Sequence, residues 1–236
     1  MPKSYFLLPA VLLGWLSTAG ALPGRAQASK IEPVAEAEPL VQIGVRVGYS
    51  RYSLSGAEAD LRAAVPGSSF EPGQFGCAGL VVRGRLAGPL ALQGEMLYLR
   101  RGGRYTVPFF GDSEPFEEHS LQVPLLLNLR LLRFGAVALH VEGGYAVHLA
   151  LSGPFINQAA YPPGTRFEDK GVTHGPAAGG ELNLRRGSQQ YFLHFRYCWE
   201  QNDFFVRSSS TGQSYGLRNQ GFIITTGVLF GTSRLE

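Results

Sequence analysis

Hydrolysis or acyl transfer needs an acid or nucleophile beside a base. His119-Ser120, with Glu117, Glu118 and Asp112 close by, is the one local set of that kind in the chain. It lies in a polar stretch between two alternating apolar segments, where such side chains are ordinarily solvated. A membrane hydrolase or acyltransferase is the enzyme that this set would support, and the expectation is that the chain is not an enzyme. Metal binding fares no better. His140 and His148 share one face of a strand, but eight residues of strand put them about 26 Å apart at roughly 3.3 Å per residue. His194 and Cys198 are also too far apart along a strand to share an ion. No metal site and no cofactor is expected. Cys77 and Cys198 are the only cysteines. Two cysteines in an exported chain often pair. These fall on strands that would not be neighbours, and a disulfide needs Cα atoms within about 7 Å. The sequence leaves their pairing open.

The other chemically able residues are charges placed singly within apolar alternation: Arg46, Arg83, Arg85, Glu95, Arg101, Arg130, Glu142, Glu181 and Arg196. All fall on the polar parity of their segments, as do His140, His148 and His194. An interior polar network is expected from Arg46, Arg83, Arg85, Glu95, Arg130, Glu142, Glu181 and Arg196. It would act as a closed plug, with a narrow anion-selective path as the alternative.

These charges need strands to position them. In Leu90–Arg130, Leu90, Leu92, Met96 and Tyr98 alternate with Gln93, Glu95 and Arg101. Leu121, Val123, Leu125, Leu127 and Leu129 then alternate with Ser120, Gln122, Asn128 and Arg130. A period of two means strands with one apolar and one polar face. Their length matches the roughly 9–11 residues of a tilted membrane strand. Further strands are predicted from Leu40, at Gln74–Ala87, Phe134–Leu151, Val172–Arg185 and Tyr191–Trp199, and over Phe222–Phe230. Pro176 argues against the Val172 strand, since it lacks a ladder donor. Long loops are expected at Leu54–Gly73, Arg104–Glu118, Ser152–Gly171 and Glu200–Arg218. Tight turns are expected at Gly88-Pro89, Leu131–Arg133 and Arg186–Gln189.

The count is eight strands with connections alternating long and short. Bacterial outer-membrane barrels are built this way, with tight turns in the periplasm. The predicted fold is all-β, an eight-stranded antiparallel up-and-down transmembrane barrel over residues 40–231. Residues 1–28 read as a signal peptide, from Lys3, the short apolar run Tyr5–Leu16 and the small-x-small site Ala26-Gln27-Ala28. Residues 29–39 read as a flexible periplasmic tail, and residues 232–236 as a C-terminal tail.

Alternation alone does not say which face is inside, and an exported lipocalin-like carrier would turn the apolar face inward. Three features favour lipid outside. The polar face is rich in Gly and Ala, as a narrow interior requires. Aromatics sit near strand ends on the apolar face: Tyr49, Tyr98, Tyr197, Trp199 and Phe222 at one rim, Tyr191 and Phe230 at the other. The strands carry almost no Lys. Charged residues are 17% of the chain, low for a soluble protein, and its arginines form no patch interleaved with aromatics. No nucleic-acid partner is expected.

Leu92-Gln93-Gly94-Glu95-Met96-Leu97-Tyr98 with Gly102-Gly103 resembles the L-Q-x-E-L-x-Y segment of the PorT-like outer-membrane β-barrel family, common in Bacteroidetes. Leu121-Gln122-Val123-Pro124-Leu125-Leu126-Leu127 is similar to that family's E-I-P-L-L-L strand, with Gln122 in place of the acid. Glu142-Gly143-Gly144-Tyr145 is similar to its A-G-P-Y element without the Pro. The resemblance implies an outer-membrane barrel without enzymatic chemistry, whose work is structural, at the surface, or in envelope or secretion assembly. The partners expected are outer-membrane lipid and lipopolysaccharide, the assembly machinery, and a protein at the long loops. Those loops hold Phe109, Phe110, Phe116, Phe155, Tyr161, Phe167, Phe204, Phe205 and Tyr215, which would bind a partner or seal the mouth.

Overall fold

The computed structural model describes residues 39–106, 113–152, 166–208 and 212–231. The predicted signal peptide, most of the tail before Val41 and the C-terminal tail lie outside these, as do Asp112, Phe109, Phe110, Phe155 and Tyr161. The strands are β1 (Val41–Ser55), β2 (Ser69–Ala87), β3 (Leu90–Thr106), β4 (Ser113–Phe134), β5 (Val137–Ser152), β6 (Arg166–Asp169), β7 (Val172–Arg186), β8 (Gln189–Trp199), β9 (Phe205–Ser208) and β10 (Ser214–Gly231). One helix, α1 (Ala57–Ala63), stands between β1 and β2.

Eight of these strands close a ring in the order β1-β2-β3-β4-β5-β7-β8-β10, and β10 pairs back to β1. Every neighbour is antiparallel, so the eight-stranded up-and-down barrel read from the alternation is what forms. Register fixes its geometry. From Gln42 the path of paired residues runs through Arg83, Gln93, Leu126, Gly144, Ala177, Cys198 and Gly221, and it returns to β1 at Tyr52. The path has climbed ten residues of β1 in eight steps. Such a stagger requires strands tilted by roughly 40°.

The three short connections are two-residue turns: Gly88-Pro89, Gly135-Ala136 and Gly187-Ser188. The first residue of each is a glycine with positive φ, 52°, 56° and 61°, and among the described residues no other residue type has positive φ. That is the type II′ pattern, whose twist suits a hairpin. The second turn falls three residues later than Leu131–Arg133 because β4 bulges between Arg130 and Leu132 and then resumes pairing. A Gly, not the break in alternation, sets the reversal.

The strands outrun the expected boundaries at the opposite end. Much of the predicted loop Arg104–Glu118 is paired wall, from Thr106↔Ser113 inward. Above the ring, β6, β9 and the first part of β10 make a small outer sheet. Alternation does not reveal these pieces because neither of their faces meets lipid.

Two prolines in the middle of the wall, Pro124 and Pro176, have a local explanation. Pro124 sits where the β3–β4 ladder skips the pairs opposite Glu95 and Met96, then resumes in the same register. Pro176 lies just past Ala177, where the β7–β8 ladder stops. In each case the missing N–H faces an unpaired position.

The apolar parity is outside. Ile43, Val45, Val47, Leu80, Val82, Met96, Leu125, Leu127, Leu182, Leu193 and Phe195 are all exposed. The inward-apolar carrier is therefore not the arrangement adopted. Because each step around the ring climbs slightly more than one residue, Tyr49, Tyr98, Tyr197, Trp199 and Phe222 come to one level. Tyr145 joins them. Interface aromatics of this kind mark where lipid meets water. Among the described residues no helix is long and apolar enough to cross a membrane.

Inside, space is short. A Cβ at Gly227 would lie 2.1 Å from the Val45 carbonyl oxygen and 2.5 Å from the Phe192 ring. Gly227→Val should therefore cost more than about 3 kcal/mol, an overpacking the backbone cannot relieve. Urea titration of the refolded barrel, read by its gel mobility, checks this, and a variant as stable as the parent would refute it.

Candidate functional site

The interior is layered. Tilt levels the inward side chains, and two polar layers alternate with apolar ones. Toward the short turns, Val81, Phe192 and Leu229 pack together on one side of the lumen. The first polar layer lies against them. Its centre is Arg196, whose Nη2 and Nη1 donate to the two carboxylate oxygens of Glu95 at 2.5 and 2.9 Å. Its Nε donates to Glu142 at 2.9 Å. Arg46 Nη1 donates to Glu95 at 2.5 Å, and its guanidinium stacks 5.1 Å over the Phe192 ring. Arg83 bonds Glu181 at 2.6 Å and the Gln93 side-chain oxygen at 2.7 Å. Gln93 in turn donates to Glu95 at 2.5 Å, and Asn183 donates to Glu181 at 2.7 Å.

Three arginines thus meet three glutamates, and the layer is neutral if His194 is. The geometry favours that state. His194 Nε2 lies 2.6 Å from Glu142, which can only accept, and Nδ1 is 3.3 Å from the Thr225 hydroxyl, which can donate. One ring proton, on Nε2, satisfies both contacts.

An apolar layer of Tyr52, Cys77, Leu97, Leu99, Leu126, Ala146, Ala177, Cys198 and Ile223 comes next. Cys77 and Cys198 are both in it, as free thiols. The second polar layer is built on Arg101, which pairs with both Glu118 and Glu200. Thr173 bridges them, accepting from Arg101 at 2.8 Å and donating to Glu200 at 2.9 Å. The Asn219 backbone N–H holds the other Glu200 oxygen at 3.0 Å. His148 stands 3.9 Å from Glu200 and 3.2 Å from the Gln122 amide.

Over this lies a lid of Leu54, Phe204, Phe205 and Leu217, with Ala59 of α1 and Phe70 against it. Helix α1 is tied down by Glu58, which accepts from Arg62 at 2.7 Å and from Arg207 at 2.8 Å. Two of the loop aromatics, Phe204 and Phe205, therefore seal the mouth. Tyr215 lies under Arg207 at 4.9 Å.

Six of the eight predicted network residues, Arg46, Arg83, Glu95, Glu142, Glu181 and Arg196, meet in the first layer. Arg130 does not, and sits half-buried at the rim. Arg85, expected inside, is exposed. The bulge after it ends regular pairing with β3, and the strand there has passed below the last interior layer. Glu118 and Glu200 fall in the predicted loops Arg104–Glu118 and Glu200–Arg218 and so outside the predicted network. Each nonetheless shares the inward parity of its strand, Glu118 with Ser120 and Gln122, Glu200 with Arg196 and Cys198, and extending the alternation by two residues finds both.

The hydrolytic set does not assemble around a nucleophile. His119 points outward with its Nδ1 2.5 Å from the Tyr98 hydroxyl. Glu117 is paired with Arg100 at 2.5 Å, and Glu118 is buried on Arg101. Ser120 is buried on the inner face. Among the described residues no three His, Cys, Asp or Glu side chains converge as metal ligands.

Among solved structures, the chain is similar to the outer membrane protein OprG from Pseudomonas aeruginosa. The identity is 10% and the TM-score 0.55, over 83% of this chain and 98% of that one. The chain therefore has the fold of a small outer-membrane β-barrel. Its exposed apolar belt and aromatic girdle make it an integral protein of that membrane. Two weaker likenesses are to the outer membrane protein AlkL, determined in DMPC bilayers (12% identity, TM-score 0.46, 92% of this chain and 99% of that one), and to the outer membrane protease OmpT from Escherichia coli (10%, 0.44, 81% and 96%). No protein-family model and no curated protein sequence matches the chain.

The first layer's worth can be read by breaking it. Arg196→Met leaves Glu95 and Glu142 short of a buried partner and should destabilise the barrel by about 3–5 kcal/mol. Arg100→Met breaks a pair that is 42% and 23% exposed, where solvent screens the charges, and should cost under about 1 kcal/mol. Urea unfolding of both variants in the same detergent tests the ordering; equal losses would contradict it.

Proposed function

We propose that this protein is a closed, non-catalytic outer-membrane barrel that acts at its exposed ends, in surface interaction or in envelope or secretion assembly. One observation carries the reading. The side chains of Arg46, Glu95, Glu142 and Arg196, which cross the lumen, have zero accessible surface. Water does not reach them, so they are a plug, and an anion path would need them wet. The fit of a plug follows from size, since an eight-strand interior holds side chains or one small ligand.

Absence of catalysis is supported by the outward turn of His119 and the pairing of both neighbouring glutamates. Membership of the PorT-like family rests on the Leu92–Tyr98 and Leu121–Leu127 segments. The Pro124 of the second segment occupies a built gap in the ladder. Lipopolysaccharide is the expected surround of the outer rim. The assembly machinery is the expected partner during insertion.

In planar bilayers the folded chain should show no stable unit conductance. Steady single-channel steps from the parent protein would overturn the plug. With affinity-tagged protein in detergent-solubilised membranes, shortening the β3–β4 and β5–β7 connections should abolish capture of a surface partner while leaving heat-modifiable migration intact. Capture that survives the trimming would move the interaction elsewhere.

A further inference from the structure

The two ends of the barrel differ in charge. Among the described residues, every acidic side chain that is not inside the barrel or its lid lies at the long-connection end: Asp60, Glu71, Glu117, Glu168, Asp169 and Asp203. Cations there are matched in part, with Arg100 on Glu117, Lys170 on Glu168 and Arg218 on Asp203. The short-turn end has no exposed carboxylate among the described residues. It carries Arg85 on β2, Arg130 and Arg133 on β4, and Arg185 and Arg186 on β7.

Strand tilt gathers these five. They stand on three strands within a few residues of the turns, and the climb around the ring brings them to nearly one level. They occupy the arc from β2 to β7, while the remaining arc offers Gln42, Gln189 and Gln190. Arg133 and Arg185 are arranged alike, each Nε donating at 3.3 Å to the carbonyl of the turn glycine two residues on. Between the arginines stand exposed apolar side chains: Leu86, Leu131, Leu132, Leu184 and Phe134, the last 73% exposed. Such apolar groups need hydrocarbon, and guanidinium groups beside them sit at headgroup depth with their stems along the lipid.

We propose that this arc binds the phosphates of anionic phospholipids in the periplasmic leaflet. The inference rests on the membrane reading above and adds to it a leaflet, a lipid class and a set of residues. Guanidinium matches a phosphate diester with paired donors, which ammonium does not. Each basic group near such a surface adds a separable increment of attraction. Among the described residues an anionic headgroup meets no opposing carboxylate at this end. At the other end it would meet six.

The test uses the full chain in phosphatidylcholine vesicles containing a minority of spin-labelled phosphatidylglycerol, with phosphatidylcholine labelled in parallel. The protein should enrich phosphatidylglycerol in its immobilised shell. R85Q/R133Q/R186Q should weaken that preference by on the order of a hundredfold at low salt. R85K/R133K/R186K should keep more of it than the glutamine variant, and R51Q/R104Q at the opposite rim should keep it in full. Folding of each variant is read by heat-modifiable migration. A parent without preference, a glutamine variant that retains it, or an opposite-rim variant that loses it equally would overturn the inference. Insertion with no preference sinks this proposal alone, whereas failure of the parent to insert sinks the membrane reading as well.

Discussion

Hydrocarbon offers no partner to a backbone N–H or C=O, so a sheet that spans it has to close. Here closure is the β1–β10 pairing, and the register path from Gln42 to Tyr52 states its geometry. Eight strands with that stagger leave a lumen about one side chain deep from each wall. The remaining features follow from that narrowness. Glycine occurs where a neighbouring carbonyl crowds the inner face, as at Gly227. Long inward side chains can be accommodated only if they lie across the axis and meet one another.

Meeting one another is also the electrostatic requirement. A guanidinium or carboxylate held away from water is strongly unfavourable unless paired and hydrogen-bonded. The first layer meets this with three arginines, three glutamates and a histidine that needs only one ring proton. The second uses one arginine for two carboxylates and adds Thr173 and a backbone N–H as further donors to Glu200. The apolar layer between them, with Leu97, Leu99, Leu126 and Ile223, keeps the two sets apart. The interior is a stack of separately paired plugs.

Most of the wall was legible because lipid imposes period two on it. The side that each of Ile43, Leu80, Met96, Leu125, Leu182 and Phe195 faces could be read from its neighbours. What failed did so where that pressure stops. Arg85 obeys the inward parity but lies below the layers that need it, and a bulge frees it. Glu118 and Glu200 obey the same parity, yet polar composition made their segments look like loops. Helix α1 and strands β6 and β9 carry no lipid-facing period, so only tertiary contacts define them. Pro124 and Pro176 looked like objections to strands. In the fold each sits beside a gap in the ladder, which pairing partners alone can reveal. The interior network was legible as a set of residue types, but not as a set of partners, because tilt decides which inward residues share a level.

The constraints also say where specificity can reside. The outer wall is committed to lipid, and its residues are exchangeable among apolar types. The lumen is committed to paired charges, and a change there has to be matched across the axis. Only the ends are free of both demands. At the long-connection end, freedom is spent on a lid of Leu54, Phe204, Phe205 and Leu217, with mixed charges around it. The short turns leave little room for anything but their own geometry, a glycine with positive φ and one further residue. Yet the strand ends that feed those turns carry five arginines and no exposed acid among the described residues. Lumen packing does not ask for that charge. The anionic headgroups proposed above would give it a counterpart at the level of the inner leaflet.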